Sequence, residues 1–217
     1  MKIALALVVA VSLLTPAAAA TDFTPVADWL KLPAGRENLG NMLLAGGVSG
    51  QTRDVDGRSM TPFQPAGKAN VLLFVQTDCP VSNSYAPEIQ RICKVYESKG
   101  VSCSLAYEDV RVDASAVRKH MKDFSYSGIG ATIDSSRAIA DRARATITPA
   151  AVVVDAGGAV RYRGRIDNFY ASLGKPRQHV TEHDLIDALD AILAGKPVPK
   201  PETEALGCFI TPPQKKR

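Results

Sequence analysis

The run from Val71 to Ile92 constrains this chain more than any other stretch. Val71-Leu72-Leu73-Phe74-Val75 is a short β-rich apolar run bounded by polar residues, the pattern of a strand covered on both faces. Gln76-Thr77-Asp78 makes a turn, and Cys79-Pro80-Val81-Ser82 opens the next element. From there apolar residues recur three or four apart through Ala86, Ile89 and Ile92 and stop at Gly100, which predicts one helix. A cysteine in a helix's first turn lies near unpaired backbone N–H groups at the positive end of the helix dipole. These favour thiolate over thiol, and thiolate is the nucleophile. Pro80 suits that turn, where its missing N–H costs nothing.

The flanks set the compartment. Met1–Ala20 reads as a signal peptide: Lys2, an apolar core from Ile3 to Leu14, and Ala18-Ala19-Ala20 as small residues for cleavage. That core is short for a membrane span, so no stable membrane insertion is expected after cleavage. Export to the periplasm or outside the cell implies an oxidising environment where disulfides persist. The net charge of +4 falls to +3 once Lys2 leaves, which is ordinary for a soluble protein and gives no case for nucleic acid.

The expected organisation is a signal peptide over 1–20, an N-terminal extension over 21–68, a main domain over 69–194 and a tail over 195–217. In the extension, Asp28–Leu32 predicts a helical turn with Trp29 inward, and residues 36–51 are glycine-rich around Met42-Leu43-Leu44. Asp56-Gly57 predicts a hairpin turn. Asp54 and Asp56 lack the other positions of a calcium loop. Beyond Gly100, Val101–Tyr107 reads as a strand. Asp113–Phe124 reads as a helix capped by Asp113, with Val117, Met121 and Phe124 on one face. Residues 128–134 hold a short strand and Ser135–Arg144 a helix. Ala150–Val154 and Ala159–Arg165 form a hairpin around Asp155-Ala156-Gly157-Gly158. Arg161, Arg163 and Arg165 alternate onto one face, which suits a solvated edge better than an anion site. Thr181–Leu193 reads as a helix capped by Thr181, with Leu185, Ile186, Leu189 and Ile192 inward. The proline-rich stretch Pro197–Pro201 is extended and delivers Gly207-Cys208-Phe209-Ile210 to a fixed place. Lys215-Lys216-Arg217 reads as a solvated end.

Four cysteines, Cys79, Cys93, Cys103 and Cys208, allow three pairings. Measured from the Gly100 turn, Cys93 lies about 10 Å back along a helix. Cys103 lies about 10 Å onward along a strand. They therefore sit at similar height on adjacent elements, which predicts a structural Cys93–Cys103 disulfide, with two buried thiols as the alternative. His120, His179 and His183 show no metal-ligand spacing with Cys79, so no metal and no cofactor is expected.

Cys79-Pro80-Val81-Ser82, with Ala86-Pro87 seven and eight residues after Cys79, resembles the Cys-x-x-Cys or Cys-x-x-Ser site of thioredoxin-like proteins. Thr148-Pro149 ahead of a strand resembles the cis-proline that faces the active cysteine in that fold. There the backbone of the preceding residue pairs with the substrate chain. With Tyr162-Arg163-Gly164-Arg165-Ile166-Asp167 and the Gly207–Ile210 tail, the chain resembles exported bacterial proteins of the redoxin-domain branch, similar to AhpC/TSA. The resemblance implies an α/β fold: a thioredoxin-like central mixed sheet flanked by helices, with an N-terminal hairpin extension and a C-terminal tail. It also implies a thiol–disulfide oxidoreductase whose partners are protein thiols or disulfides and an unidentified reductant.

The departures shape the mechanism. Leu72 and Gln76 replace the proline and threonine of a peroxiredoxin site, which makes a thiol peroxidase the second choice. Asp78 replaces the tryptophan before the cysteine, and a carboxylate aimed at the sulfur would oppose its ionisation. Leu73 replaces thioredoxin's buried acid. Ser82 replaces the second cysteine; its hydroxyl can hydrogen-bond a Cys79 thiolate but cannot resolve a mixed disulfide. With Cys93 and Cys103 paired, Cys208 is the candidate resolving thiol, or else a lone thiol. A copper-handling protein of the same fold and a non-catalytic module that binds a partner beside Pro149 are the readings from other classes.

Overall fold

The computed structural model describes residues 51–109 and 111–210. The signal peptide, the Trp29 turn, residues 36–50 and the Lys215–Arg217 end lie outside the described residues.

Strands β3 (Ala69–Val75), β4 (Val101–Tyr107), β5 (Gly130–Ile133), β7 (Ala150–Asp155) and β8 (Val160–Gly164) form one mixed sheet, ordered β5-β4-β3-β7-β8. β3 runs parallel to β4 and antiparallel to β7, so it is central and buried over its whole length. Its alternating side chains feed two cores. Ala69, Val71, Leu73 and Val75 face one layer; Leu72 and Phe74 face the other. Each valine, leucine and phenylalanine among them contributes about 1.5–3 kcal/mol by leaving water.

The first layer holds α1 (Pro80–Ser84), α2 (Ala86–Glu97), α3 (Ala114–Asp123) and α5 (Asp184–Leu193) through Ile89, Ile92, Val117, Leu185 and Leu189. The second holds α4 (Ala138–Ala143) through Ile139, Ala140 and Ala143, joined by Ile210 of the tail. A hairpin of β1 (Thr52–Arg53) and β2 (Ser59–Met60) leans on β5 through a Val55 N–H to Ala131 O bond of 2.8 Å. Asp54 closes that hairpin, accepting from the Asp56 and Arg58 backbones at 2.9 and 2.7 Å.

Three sequence expectations need correction. The predicted helix from the cysteine turn to Gly100 is two helices broken at Tyr85. Pro87 has no N–H to continue the ladder, and the Tyr85 N–H turns back to Ser82 O at 3.1 Å. α4 is shorter than Ser135–Arg144, because Arg137 and Arg144 adopt left-handed backbone at φ 62° and 55° and bound it. Asp134 satisfies its first turn, accepting from Ile139 and Ala140 N–H at 2.8 Å each. α5 begins at Asp184, not Thr181. Thr181 is held instead by Asn168, whose Oδ1 accepts its N–H at 2.9 Å and whose Nδ2 donates to its Oγ1 at 2.8 Å.

A fourth correction concerns the arginine stripe. It is not a solvated edge. Arg163 exchanges backbone bonds of 3.0 Å with Pro201 O and Thr203 N, so the tail runs along β8 as an added strand-like segment. Arg161, Arg163 and Arg165 each meet carboxylates: Asp155 at 3.2 Å, Glu202 at 3.7 Å, and Glu182 and Asp184 at 2.8 and 2.7 Å. Gly164 is needed here, since a Cβ at this position would overlap Thr203. Past β8, β9 (Tyr170–Ser172) pairs with β10 (Lys175–Pro176), and the tail then forms β11 (Cys208–Phe209), antiparallel to β6 (Ile147–Thr148), with Cys208 opposite Thr148 and Phe209 opposite Ile147. Ile210 is 4 % exposed, and its N–H reaches Thr146 O at 2.9 Å. No described helix is long and apolar enough to cross a membrane.

Candidate active site

Cys79 is the N-cap of α1, with extended backbone (φ −86°, ψ 108°). β3 delivers it to the end of the sheet, and Pro80 starts the helix. The Ser82 backbone N–H lies 3.4 Å from Cys79 Sγ and donates to it. On the other side the Thr148 carbonyl oxygen lies 3.4 Å from the same sulfur. The Thr148–Pro149 peptide bond is cis. The first contact favours a thiolate; the second favours the neutral thiol, whose S–H it can accept.

All four cysteines are paired. Cys93 on α2 and Cys103 on β4 form a disulfide with Cα atoms 5.8 Å apart. Cys79 and Cys208 form the other, with Cα atoms 6.0 Å apart across 129 positions of sequence. β11 brings Cys208 there. Gly207 makes the approach possible, because a Cβ at this position would overlap the Thr148 carbonyl. Cys79, Thr148, Pro149 and Cys208 therefore converge.

Ser82 converges too, but by its backbone. Its buried hydroxyl has no hydrogen-bond partner, so the expected side-chain contact to the sulfur is replaced by the N–H. Cys79 is 1 % exposed, and the tail that carries Cys208 covers it. The cavity beside Pro149 holds about 10 Å³ and is lined by Leu206, Tyr85 and Tyr170 among others. That is room for at most one water.

A polar shell braces the cysteine turn. Gln76 is buried, and its Oε1 accepts from Thr148 Oγ1 at 2.8 Å, tying the end of β3 to β6. Asp109 Oδ2 accepts the Thr77 N–H at 2.7 Å. Asn83 Nδ2 donates to Thr77 O at 3.1 Å, which leaves its Oδ1 facing His120 Nε2 at 2.9 Å. His120 therefore carries its proton on Nε2, and Nδ1 accepts from Tyr107 OH at 2.9 Å. Burial holds this imidazole below its ordinary value. Asp78 is exposed and lies beside Asp109, whose carboxyl is pushed up by burial and by that neighbour.

Sequence reasoning missed Glu108. It follows β4, bonds Val75 O through its N–H at 3.0 Å, and is 2 % exposed with both carboxyl oxygens unpartnered. Burial first, then the Asp134 carboxylate, push it up to about 9, against an opposing pull from Arg137. A buried acid thus reaches the sheet end from the strand beside β3. The only signal was an acidic pair, Glu108-Asp109, closing an apolar strand. Among the described residues no group of three or more metal-ligating side chains forms.

No protein-family model matches the sequence, and no curated protein matches it. Solved structures do. An uncharacterized conserved protein from Geobacillus kaustophilus is 25 % identical with a TM-score of 0.63, over 74 % of this chain and 87 % of that one. A hypothetical protein from Sinorhizobium meliloti 1021 is 23 % identical with a TM-score of 0.64, over 74 % and 88 %. MTB dsbF, solved in mixed oxidized and reduced forms, is 17 % identical with a TM-score of 0.50, over 65 % and 93 %. The mixed sheet, the cysteine capping the helix after its central strand, and a cis-proline against that cysteine agree with this likeness. The chain has a thioredoxin-like fold. In this thioredoxin-like chain the second sulfur comes from the tail, not from the turn of α1.

Proposed function

We propose that the protein is an exported thiol–disulfide oxidoreductase of the redoxin type, with Cys79 as nucleophile and Cys208 as resolving thiol. One observation carries this reading: the cysteine at the cap of α1, against the cis-proline, is bonded to a cysteine presented by the tail. Ser82 cannot close a disulfide, so Cys208 supplies the missing half of the two-electron couple. The reduced pair attacks a substrate disulfide through Cys79; Cys208 then attacks the mixed disulfide, releasing substrate thiol and restoring the internal bond. Thr148 and Pro149 position the sulfur pair, and Gln76 positions Thr148. Cys93–Cys103 is structural, since it joins α2 to β4 away from this end of the sheet. Two disulfides among four cysteines suit an oxidising compartment, which supports cleavage of residues 1–20 and periplasmic or secreted action. On this reading residues 69–194 are the catalytic domain, and 195–217 the tail that completes its site.

Mass-shift thiol trapping tests the proposal. Wild type should interconvert between no free thiol and two, at Cys79 and Cys208. Cys79→Ser should abolish exchange with a protein disulfide. Cys208→Ser should accumulate mixed disulfides at Cys79. Unchanged turnover in both variants would overturn the assignment.

A further inference from the structure

The two cysteines of the internal disulfide are not equally exposed. Cys79 is 1 % exposed, enclosed by Ser82, the Thr148 carbonyl and the tail, whereas Cys208 on the edge strand β11 is only partly buried. The tail is fastened on both sides of Cys208. Upstream, Thr203 bonds Arg163 O at 3.0 Å and its Oγ1 meets Tyr162 OH at 2.7 Å; downstream, Ile210 is buried and bonded to Thr146. A nucleophile therefore meets this bond with the tail in place. Next to Cys208, Phe209 is 77 % exposed, the most exposed large apolar side chain among the described residues.

We propose that the oxidised protein is reduced through Cys208, not Cys79: an incoming thiolate attacks Cys208 Sγ and expels Cys79. This rests on the oxidoreductase reading and assigns the entry point for its reductant, a thiol. In the first step the new bond joins the reductant sulfur to Cys208 Sγ. The Cys208–Cys79 bond breaks, and Cys79 leaves with the electron pair as a thiolate. The Ser82 N–H already points at that sulfur and stabilises the departing charge, against the Thr148 carbonyl on its other side, and a stabilised thiolate leaves faster. A second reductant thiolate then attacks the sulfur of the first. This releases the oxidised reductant as a disulfide and leaves Cys208 as a thiolate that takes a proton from water. Cys79 acts as nucleophile on the substrate and as leaving group toward the reductant, so the two half-reactions enter at different sulfurs.

One equivalent of glutathione added to the oxidised full chain, with iodoacetamide present, tests this order. A single equivalent per chain supplies one thiol for the Cys79–Cys208 bond, so a second thiol to resolve the mixed disulfide stays scarce. Iodoacetamide alkylates whichever cysteine is released and blocks rearrangement. Peptide mapping should find glutathione on Cys208 and the alkyl group on Cys79, in roughly tenfold or greater excess over the reverse. Glutathione on Cys79 with alkylated Cys208 would overturn the proposal while leaving the oxidoreductase reading intact. A Cys79–Cys208 bond that stays closed even in a large excess of glutathione would overturn both.

Discussion

Glu108 keeps a carboxyl group under the sheet end with no hydrogen-bond partner, and its titration couples folding to pH. In the unfolded chain it ionises near the ordinary glutamate value, about 4.3. In the folded protein burial, and then Asp134, push it up to about 9. The folded state therefore holds the proton more tightly. The stability this gives is present below the unfolded value and is lost as pH rises toward the folded one. Glu108→Gln should raise the melting temperature at pH 8 and flatten its decline between pH 5 and 9; an unchanged slope would show that the acid is solvated. His120 runs the other way. Burial lowers its pKa, so the unfolded chain takes up the proton first as pH falls below about 6.5. Stability is full above that value and declines below it, as protonated Nδ1 can no longer accept from Tyr107. An NMR titration of His120 should give a midpoint below the ordinary value; a midpoint at or above it would mean that the Asn83–His120–Tyr107 chain does not form.

At the level of elements, the site is a strand pair. β11 lies on β6 only because residue 207 has no side chain. Gly207→Val should lift β11, so that Cys208 no longer reaches Cys79. Air-oxidised variant should then show about two free thiols by chromogenic assay where wild type shows none, with Cys93–Cys103 still closed. Closure of both disulfides in the variant would mean that β11 does not need this contact. The sequence made some of this legible. Val71–Val75 is short and apolar throughout, with a β-branched valine at each end, which marks a central strand, and a cysteine followed by Pro80 marks a helix start. The break at Tyr85 was signalled by Pro87 but hidden by an apolar period that runs on across it. The cap of α5 was misplaced because Thr181 has a good capping side chain already engaged by Asn168, thirteen residues away and invisible to local pattern. Gln76 read only as a departure from a peroxiredoxin site and His120 only as a histidine without metal-ligand spacing, since their partners, Thr148 and Tyr107, lie on other elements.

Across the whole molecule, two covalent links act at different ranges. Cys93–Cys103 closes a loop of 10 positions between α2 and β4. Replacing both by serine should cost about 2–4 kcal/mol in urea denaturation. It should leave the exchange rate of Cys79 with a protein disulfide within about twofold of wild type. A proportionate loss of exchange would tie that bond to the active site. The separate strands and helices followed from apolar runs and helical spacing, and their assembly into a mixed sheet between helices from the thioredoxin-like resemblance. The destination of the tail did not, because Pro197–Pro201 announces an extended segment without a direction.

Cys79–Cys208 spans 129 positions, so opening it releases a much larger loop, on the order of 4–5 kcal/mol of chain restriction. On the proposed function, electrons exchanged at the sulfurs are then also a setting on the thermal resistance of the entire domain. Oxidised protein should survive heating that its reduced counterpart does not, and any partner that draws electrons away would leave behind a sturdier molecule.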